Sequence, residues 1–417
     1  MSMYFENHRL ITRVHTDPAV ASRYVQAVSD AHTAQKVAPS AKHFPGHGNT
    51  HVDSHLGLPR ILVDKAALAA TELVPFRALV DGGVASIMTG HMALPLVTGD
   101  DAPCSLSRAI TTDLLRGELG FRGVVVTDCL EMDAVARTYG VARGAVSALA
   151  AGADVVMVCH TFARHVGAVE AAYAAVRDGA LPIADLRASG ARVAAMKESF
   201  AGAWDDVLRP FDAAWVAALR RENAALSARA YAATIAHLPG SRPFVPLART
   251  GPAVLFTPRM ESLNRAVDDA ESELRDAAGR LRNTVGPSYA AFAQAVALRA
   301  SAVEHVVYGP GEAVPAPLAE NLRAAGSVVF ATRNGYDKGA WQVAFLREVV
   351  GAVGEDAAAR MVAVSTCAPY DLLAVGDLGV PALATFEFTV PALAAAAAAI
   401  YGESPVTGTV PVTMNAT

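Results

Sequence analysis

Runs of β-branched residues without polar alternation recur along this chain, each followed by apolar residues at helical spacing. In the first half such runs lie at 84–88, 123–127 and 154–158, with a shorter apolar run at 37–41. Helices are expected over 18–35, 64–82, 106–119, 141–151, 162–178 and 183–200, the first opened by Pro18. A strand with one wet face alternates, whereas a strand covered on both faces does not. The pattern therefore predicts an α/β fold built on a parallel sheet. Residues 205–240 read as a charged helix that ends at a boundary, Pro239-Gly240-Ser241-Arg242-Pro243. A second alternating series follows. Its strands are expected at 252–257, 303–308, 327–331, 361–366 and 381–385. Its helices are expected at 259–280, 286–300, 316–324, 339–353, 368–374 and 391–400.

At 417 residues there is room for two or three domains. Hydrophobic residues make up 53% and charged residues 18%, which points to a folded rather than a disordered chain. The net charge of −5 gives no reason to expect nucleic acid or an anionic membrane as partner. The Ala-rich run at 392–399 is too short to span a bilayer. Residues 1–20 lack the basic-then-apolar pattern of a secretion signal. Cys104, Cys129, Cys159 and Cys367 lie far apart with no paired spacing. That argues against a metal knuckle or a disulfide framework and leads us to expect a cytoplasmic protein without metal or cofactor.

In buried parallel sheets the working residues gather at the carboxyl ends of strands. Two loops stand at such ends. The first is Lys42-His43-Phe44-Pro45-Gly46-His47-Gly48-Asn49-Thr50-His51-Val52-Asp53-Ser54-His55. Its histidines recur every four residues, which on a helix would make a metal-binding stripe. Pro45, Gly46 and Gly48 oppose that helix. In an extended segment Asp53 and His55 project to one side, so the carboxylate can orient the imidazole and favour its protonated form. Such a dyad can move a proton near neutral pH. A purely structural turn is the other reading of this loop. The second candidate is Asp128, directly after the run at 123–127, with Glu131 and Asp133 as competing carboxylates. A helix-capping Asp is the plainer alternative there.

The order and spacing of these motifs resemble glycoside hydrolase family 3. The matching pieces are Lys42-His43-Phe44-Pro45-Gly46-His47-Gly48, Asp53-Ser54-His55, Leu58-Pro59 and Thr127-Asp128-Cys129-Leu130-Glu131-Met132. The Asp-Ser-His element resembles the β-N-acetylglucosaminidase branch in particular. In the second half, Thr332-Arg333-Asn334, Pro369-Tyr370-Asp371-Leu372-Leu373 and the segment 402–413 resemble the α/β-sandwich domain of two-domain members.

The resemblance implies a retaining exo-β-N-acetylglucosaminidase acting on cell-wall or chitin-derived saccharides. It implies Asp128 as nucleophile, His55 as general acid/base and Asp53 as its partner. Lys42 and His43 would bond sugar hydroxyls, and Arg13 would bind substrate. The Arg13 match is looser, because Val14-His15 replaces a small-then-aromatic pair. A retaining glycosidase needs a nucleophile and a proton donor on either side of the anomeric carbon, which these residues supply.

In the family, the histidine loop lies past the middle of a (β/α)8 barrel, whereas here it starts at residue 42. We therefore expect a partial TIM-type barrel over 1–207, lacking several N-terminal βα units. A helical linker over 208–240 and an α/β sandwich over 241–417 complete the expected organisation. The chain alone is expected to be poorly active or inactive, with its oligomeric state open. A phosphorylase, a β-glucosidase or β-xylosidase, and a non-catalytic saccharide-binding remnant are the alternatives. In the second half Arg333, Asp337 and Asp371 lie just after expected strands, where they could face the cleft, and a role in packing is the leading expectation.

Overall fold

A computed structural model describes residues 17–48, 50, 54, 57–208, 210–259, 285–335, 339–367, 369–373 and 378–411. Two compact units make up the chain, Met1–Pro210 and Phe211–Thr417. Among the described residues no helix is long and apolar enough to cross a membrane.

The first unit carries a four-stranded parallel sheet, β1 (Ser40–Phe44), β2 (Ser86–Thr89), β3 (Val124–Cys129) and β4 (Val155–Met157), in that spatial order. α1 (Pro18–Ala34) begins where the Asp17 side chain accepts from the Ala19 and Val20 amides, with Pro18 in the first turn. The helix expected over 64–82 is two helices, α2 (Lys65–Ala70) and α3 (Leu73–Asp81). They part at Thr71, whose β-branched side chain bonds back to the Ala67 carbonyl at 2.8 Å. A helix of π winding, Ala109–Glu118, precedes β3. α4 (Val141–Ala151), α5 (Phe162–Arg177) and α6 (Ile183–Phe200) follow at or near the expected positions. Phe44, Ile87, Met92, Leu94, Ile110, Leu115 and Val125 form the buried centre of this unit.

Two strand ends differ from expectation, and both matter for the site. β1 is Ser40–Phe44 rather than 37–41, so Lys42 and His43 belong to a strand. Pairing with β2 extends it: Ser40 and Ala41 face Ser86 and Ile87, and after an irregular register Phe44 faces Thr89. β3 likewise runs on past residue 127, which makes Asp128 its penultimate residue.

In the second unit six strands lie in the order β5 (Ala236–His237), β10 (Ala382–Ala384), β9 (Met361–Ser365), β8 (Ser327–Thr332), β6 (Ala253–Pro258), β7 (Val303–Tyr308). All neighbours are parallel except β5 and β10. Alternate side chains feed two cores. Val254, Phe256, Val328 and Phe330 pack with Leu322, Phe345 and Leu346 on one face. Leu255, Val329 and Val362 pack with Tyr289, Phe292 and Leu393 on the other. The Ala-rich run sits in the helix Val390–Ile400, buried in this second core. The helix Ala213–Thr234, capped by the Asp212 carboxylate on the Trp215 amide, belongs to this unit, and its Tyr231 hydroxyl donates to Glu387. The helix expected over 259–280 lies outside the described residues, apart from Arg259.

Candidate active site

The carboxyl ends of β1 and β3 bring Lys42, His43 and Asp128 together. His43 is buried, and its Nε2 lies 3.2 Å from Asp128 Oδ2. The Cys129 amide donates to the other oxygen, Oδ1, at 2.7 Å. Gly90, just past β2, makes room for this pairing. A Cβ added there would come within 2.9 Å of His43 Cβ and 2.6 Å of Met92 Cε. The Lys42–His43 and Phe44–Pro45 peptide bonds are cis. His47 stands edge-on to His43, ring centroids 6.0 Å apart, and its Nε2 lies 3.0 Å from Ser54 Oγ, which draws the far end of the loop back toward β1.

Burial pushes the Asp128 carboxyl up. The His43 hydrogen bond and the charges of His43 and His91 outweigh it and hold the group well below the usual carboxylate range. Asp128 is thus an anion at every physiological pH, with its side chain 13% exposed. Burial lowers the Lys42 ammonium, and attraction to Asp128 opposes that fall. The result is a partly dry anion flanked by a cation and an imidazole. Such a group can approach an electron-poor carbon, while the two neighbours can hold hydroxyls.

His91 is fully buried beneath this corner. Its Nε2 donates to the Cys129 carbonyl at 2.9 Å, and Nδ1 lies 2.7 Å from Ser105 Oγ. It braces the end of β3.

Glu131 and Asp133 do other work. The Glu131 carboxylate accepts from the amides of Cys159 (2.9 Å), His160 (2.6 Å) and Thr161 (3.2 Å), and Arg164 Nη1 lies 3.3 Å away. Burial alone would raise this group, but these donors bring it down to about 2. It ties the loop after β4, and with it the start of α5, to the end of β3. Replacing Glu131 by Ala leaves three amides without their acceptor. We expect a loss of about 1–3 kcal/mol in first-unit stability, read by urea denaturation. An unchanged midpoint would show that water substitutes fully for the carboxylate. Asp133 is a surface group in a one-turn ion pair with Arg137, at 2.7 Å.

Of the residues singled out from sequence, Asp128, Lys42 and His43 converge, while Asp53, His55 and Arg13 lie outside the described residues. In the second unit Asp371 is buried, accepting from Thr332 Oγ1 (2.5 Å), Ser365 Oγ (2.6 Å) and the Gly335 amide (3.3 Å). It staples the ends of β8 and β9 together. Arg333 stacks on Phe388, 4.0 Å from the ring centroid, and Asp337 lies outside the described residues. Sequence reasoning missed the anchoring by Glu131.

Residues 12–196 match the sequence profile of the glycosyl hydrolase family 3 N terminal domain. A "Beta-hexosaminidase" of Chromobacterium violaceum is 36% identical over 146 residues, which is 35% of this chain and 40% of that protein. One of Xanthomonas oryzae pv. oryzae is 40% identical over 148 residues, covering 34% of this chain and 42% of that protein. The aligned stretch thus spans about two fifths of either relative. Among solved structures, a glycoside hydrolase family 3 β-N-acetylglucosaminidase from Paenibacillus sp. str. FPU-7 superposes with a TM-score of 0.77 at 27% identity, over 96% of this chain and 72% of that one. Residues 12–196 thus match the profile of the glycosyl hydrolase family 3 N terminal domain, and the chain as a whole has an α/β fold similar to that of a family 3 β-N-acetylglucosaminidase.

Proposed function

We propose that the first unit is the catalytic centre of a retaining exo-β-N-acetylglucosaminidase. The observation that carries this reading is the largely buried Asp128 carboxylate at a strand end, 3.2 Å from His43 Nε2 and held by the Cys129 amide, with Lys42 in β1. The names of the relatives support the substrate class.

In the proposed mechanism Asp128 attacks the anomeric carbon and forms a glycosyl ester with inversion. His55, steadied by Asp53, gives its proton to the departing glycosidic oxygen. The same imidazole then takes a proton from water, which attacks the ester and restores the β configuration. Lys42, His43 and Arg13 hold the sugar. The His43 hydrogen bond lowers the basicity of Asp128, which makes the carboxylate the better leaving group in the second step. The four-stranded sheet is read as part of a (β/α)8-type barrel over 1–207. Residues 208–240 are read as a linker and 241–417 as an α/β sandwich.

The test compares chromogenic β-N-acetylglucosaminide and β-glucoside, each with and without inorganic phosphate. Faster release from the N-acetylglucosaminide, unaffected by phosphate and yielding free β-N-acetylglucosamine, is expected. Preference for the glucoside, or a sugar 1-phosphate product, would overturn the reading.

A further inference from the structure

Spacing along the sequence hides a cluster that the sheet assembles. β3 and β4 are adjacent and parallel, with Cys129 opposite Met157. Cys159 and His160 follow β4 directly, so the turn of the chain brings both back over the end of β3. The two sulfurs and one imidazole nitrogen all lie within 4.8 Å of one another. We propose that Cys129, Cys159 and His160 form a binding site for one thiophilic divalent cation of the zinc class, at the rim of the sheet beside Asp128.

Four observations support the site. The geometry is close to what such an ion needs: a tetrahedral centre with Zn–S about 2.3 Å and Zn–N about 2.0 Å sets its ligand atoms about 3.3–3.8 Å apart. The three side chains need only close by about an ångström. The ligand loop is held in place, since Glu131 accepts from the backbone amides of both Cys159 and His160. The local field is negative. The Glu131 carboxylate lies against the ligand loop, and Asp128 directly precedes Cys129 in β3. The anionic neighbours that discourage a bare thiolate attract a cation, and binding releases the thiol protons to solvent. Finally, Cys159 and His160 are exposed while Cys129 is buried, so the ion has an open approach and a dry inner ligand.

Three protein ligands leave a fourth tetrahedral position for water, one residue away from the carboxylate proposed to attack the sugar. The binding site stands whether or not that carboxylate is catalytic.

Cobalt(II) reports thiolate ligation through a near-ultraviolet sulfur-to-metal charge-transfer band. Titrating the reduced full chain anaerobically with cobalt(II) should give this band at one equivalent, and zinc(II) should bleach it. Cys159→Ser should remove most of the band, and His160→Asn should weaken binding by at least about 10-fold. Both side chains are exposed, so both variants should fold, as circular dichroism can verify. Cobalt bound by the histidines near residues 43–55 would give no thiolate band. A missing band, or one unchanged in both variants, would overturn the proposal, and neither outcome depends on turnover.

Discussion

Asp128→Asn is expected to abolish whatever N-acetylglucosaminide cleavage the wild-type chain shows, since losing a covalent nucleophile costs on the order of 10⁶-fold in kcat. The amide is almost the same size, so the His43 side chain keeps a neighbour and the strand end keeps its shape. What disappears is the negative charge and the lone pair that would form the ester. A slow fluoro-glycoside substrate should mark the wild-type chain on the peptide carrying Asp128 and leave the variant unmarked. Label on Glu131 or Asp133 would overturn the assignment. The structure already disfavours both. Glu131 spends its oxygens on three amides and an arginine, and Asp133 faces solvent beside Arg137. Residual activity above about a tenth of wild type would exclude Asp128 as the nucleophile outright.

Asp154→Ala is expected to cost the first unit about 3–5 kcal/mol, the penalty for breaking a buried ion pair from one side. Asp154 starts β4's approach and is fully buried. One carboxylate oxygen takes Arg116 Nη2 at 2.7 Å and the Val125 amide at 2.8 Å. The other takes Arg192 Nε at 2.9 Å and Nη2 at 2.7 Å. Removing the anion leaves two guanidinium groups facing each other, their side chains 15% and 29% exposed. Burial already depresses Arg116, with Asp154 supplying the main opposing attraction. The Arg60–Asp101 pair provides the control. Both partners are 57% exposed, and Asp101→Ala should cost no more than about 1 kcal/mol. Urea midpoints, with hydrogen exchange on β3 and β4 amides to localise the loss, check both. Equal effects at the two sites would sink the argument.

Much of the α/β pattern could be read directly, because strands covered on both faces have no polar alternation to blur them. α4 and β7 lie at the residues expected from periodicity. The departures have physical causes. Lys42 and His43 look like loop residues, yet they lie between Ala41 and Phe44, both paired with β2, and so belong to the strand. β5 is two residues long and owes its existence to β10, so local pattern carries no trace of it. At the site, Asp128, Lys42 and His43 were legible as a motif. The partners of Glu131, the arginines on Asp154 and the gathering of Cys129, Cys159 and His160 were not. Each depends on the register between β3 and β4, which composition and spacing along one chain do not encode.

Glu131 has a mechanical consequence. One carboxylate accepts from three successive amides, so three bonds converge on a single side chain to hold the loop after β4 at the end of β3. Any change that removes this one side chain therefore loosens that corner of the sheet at three backbone positions.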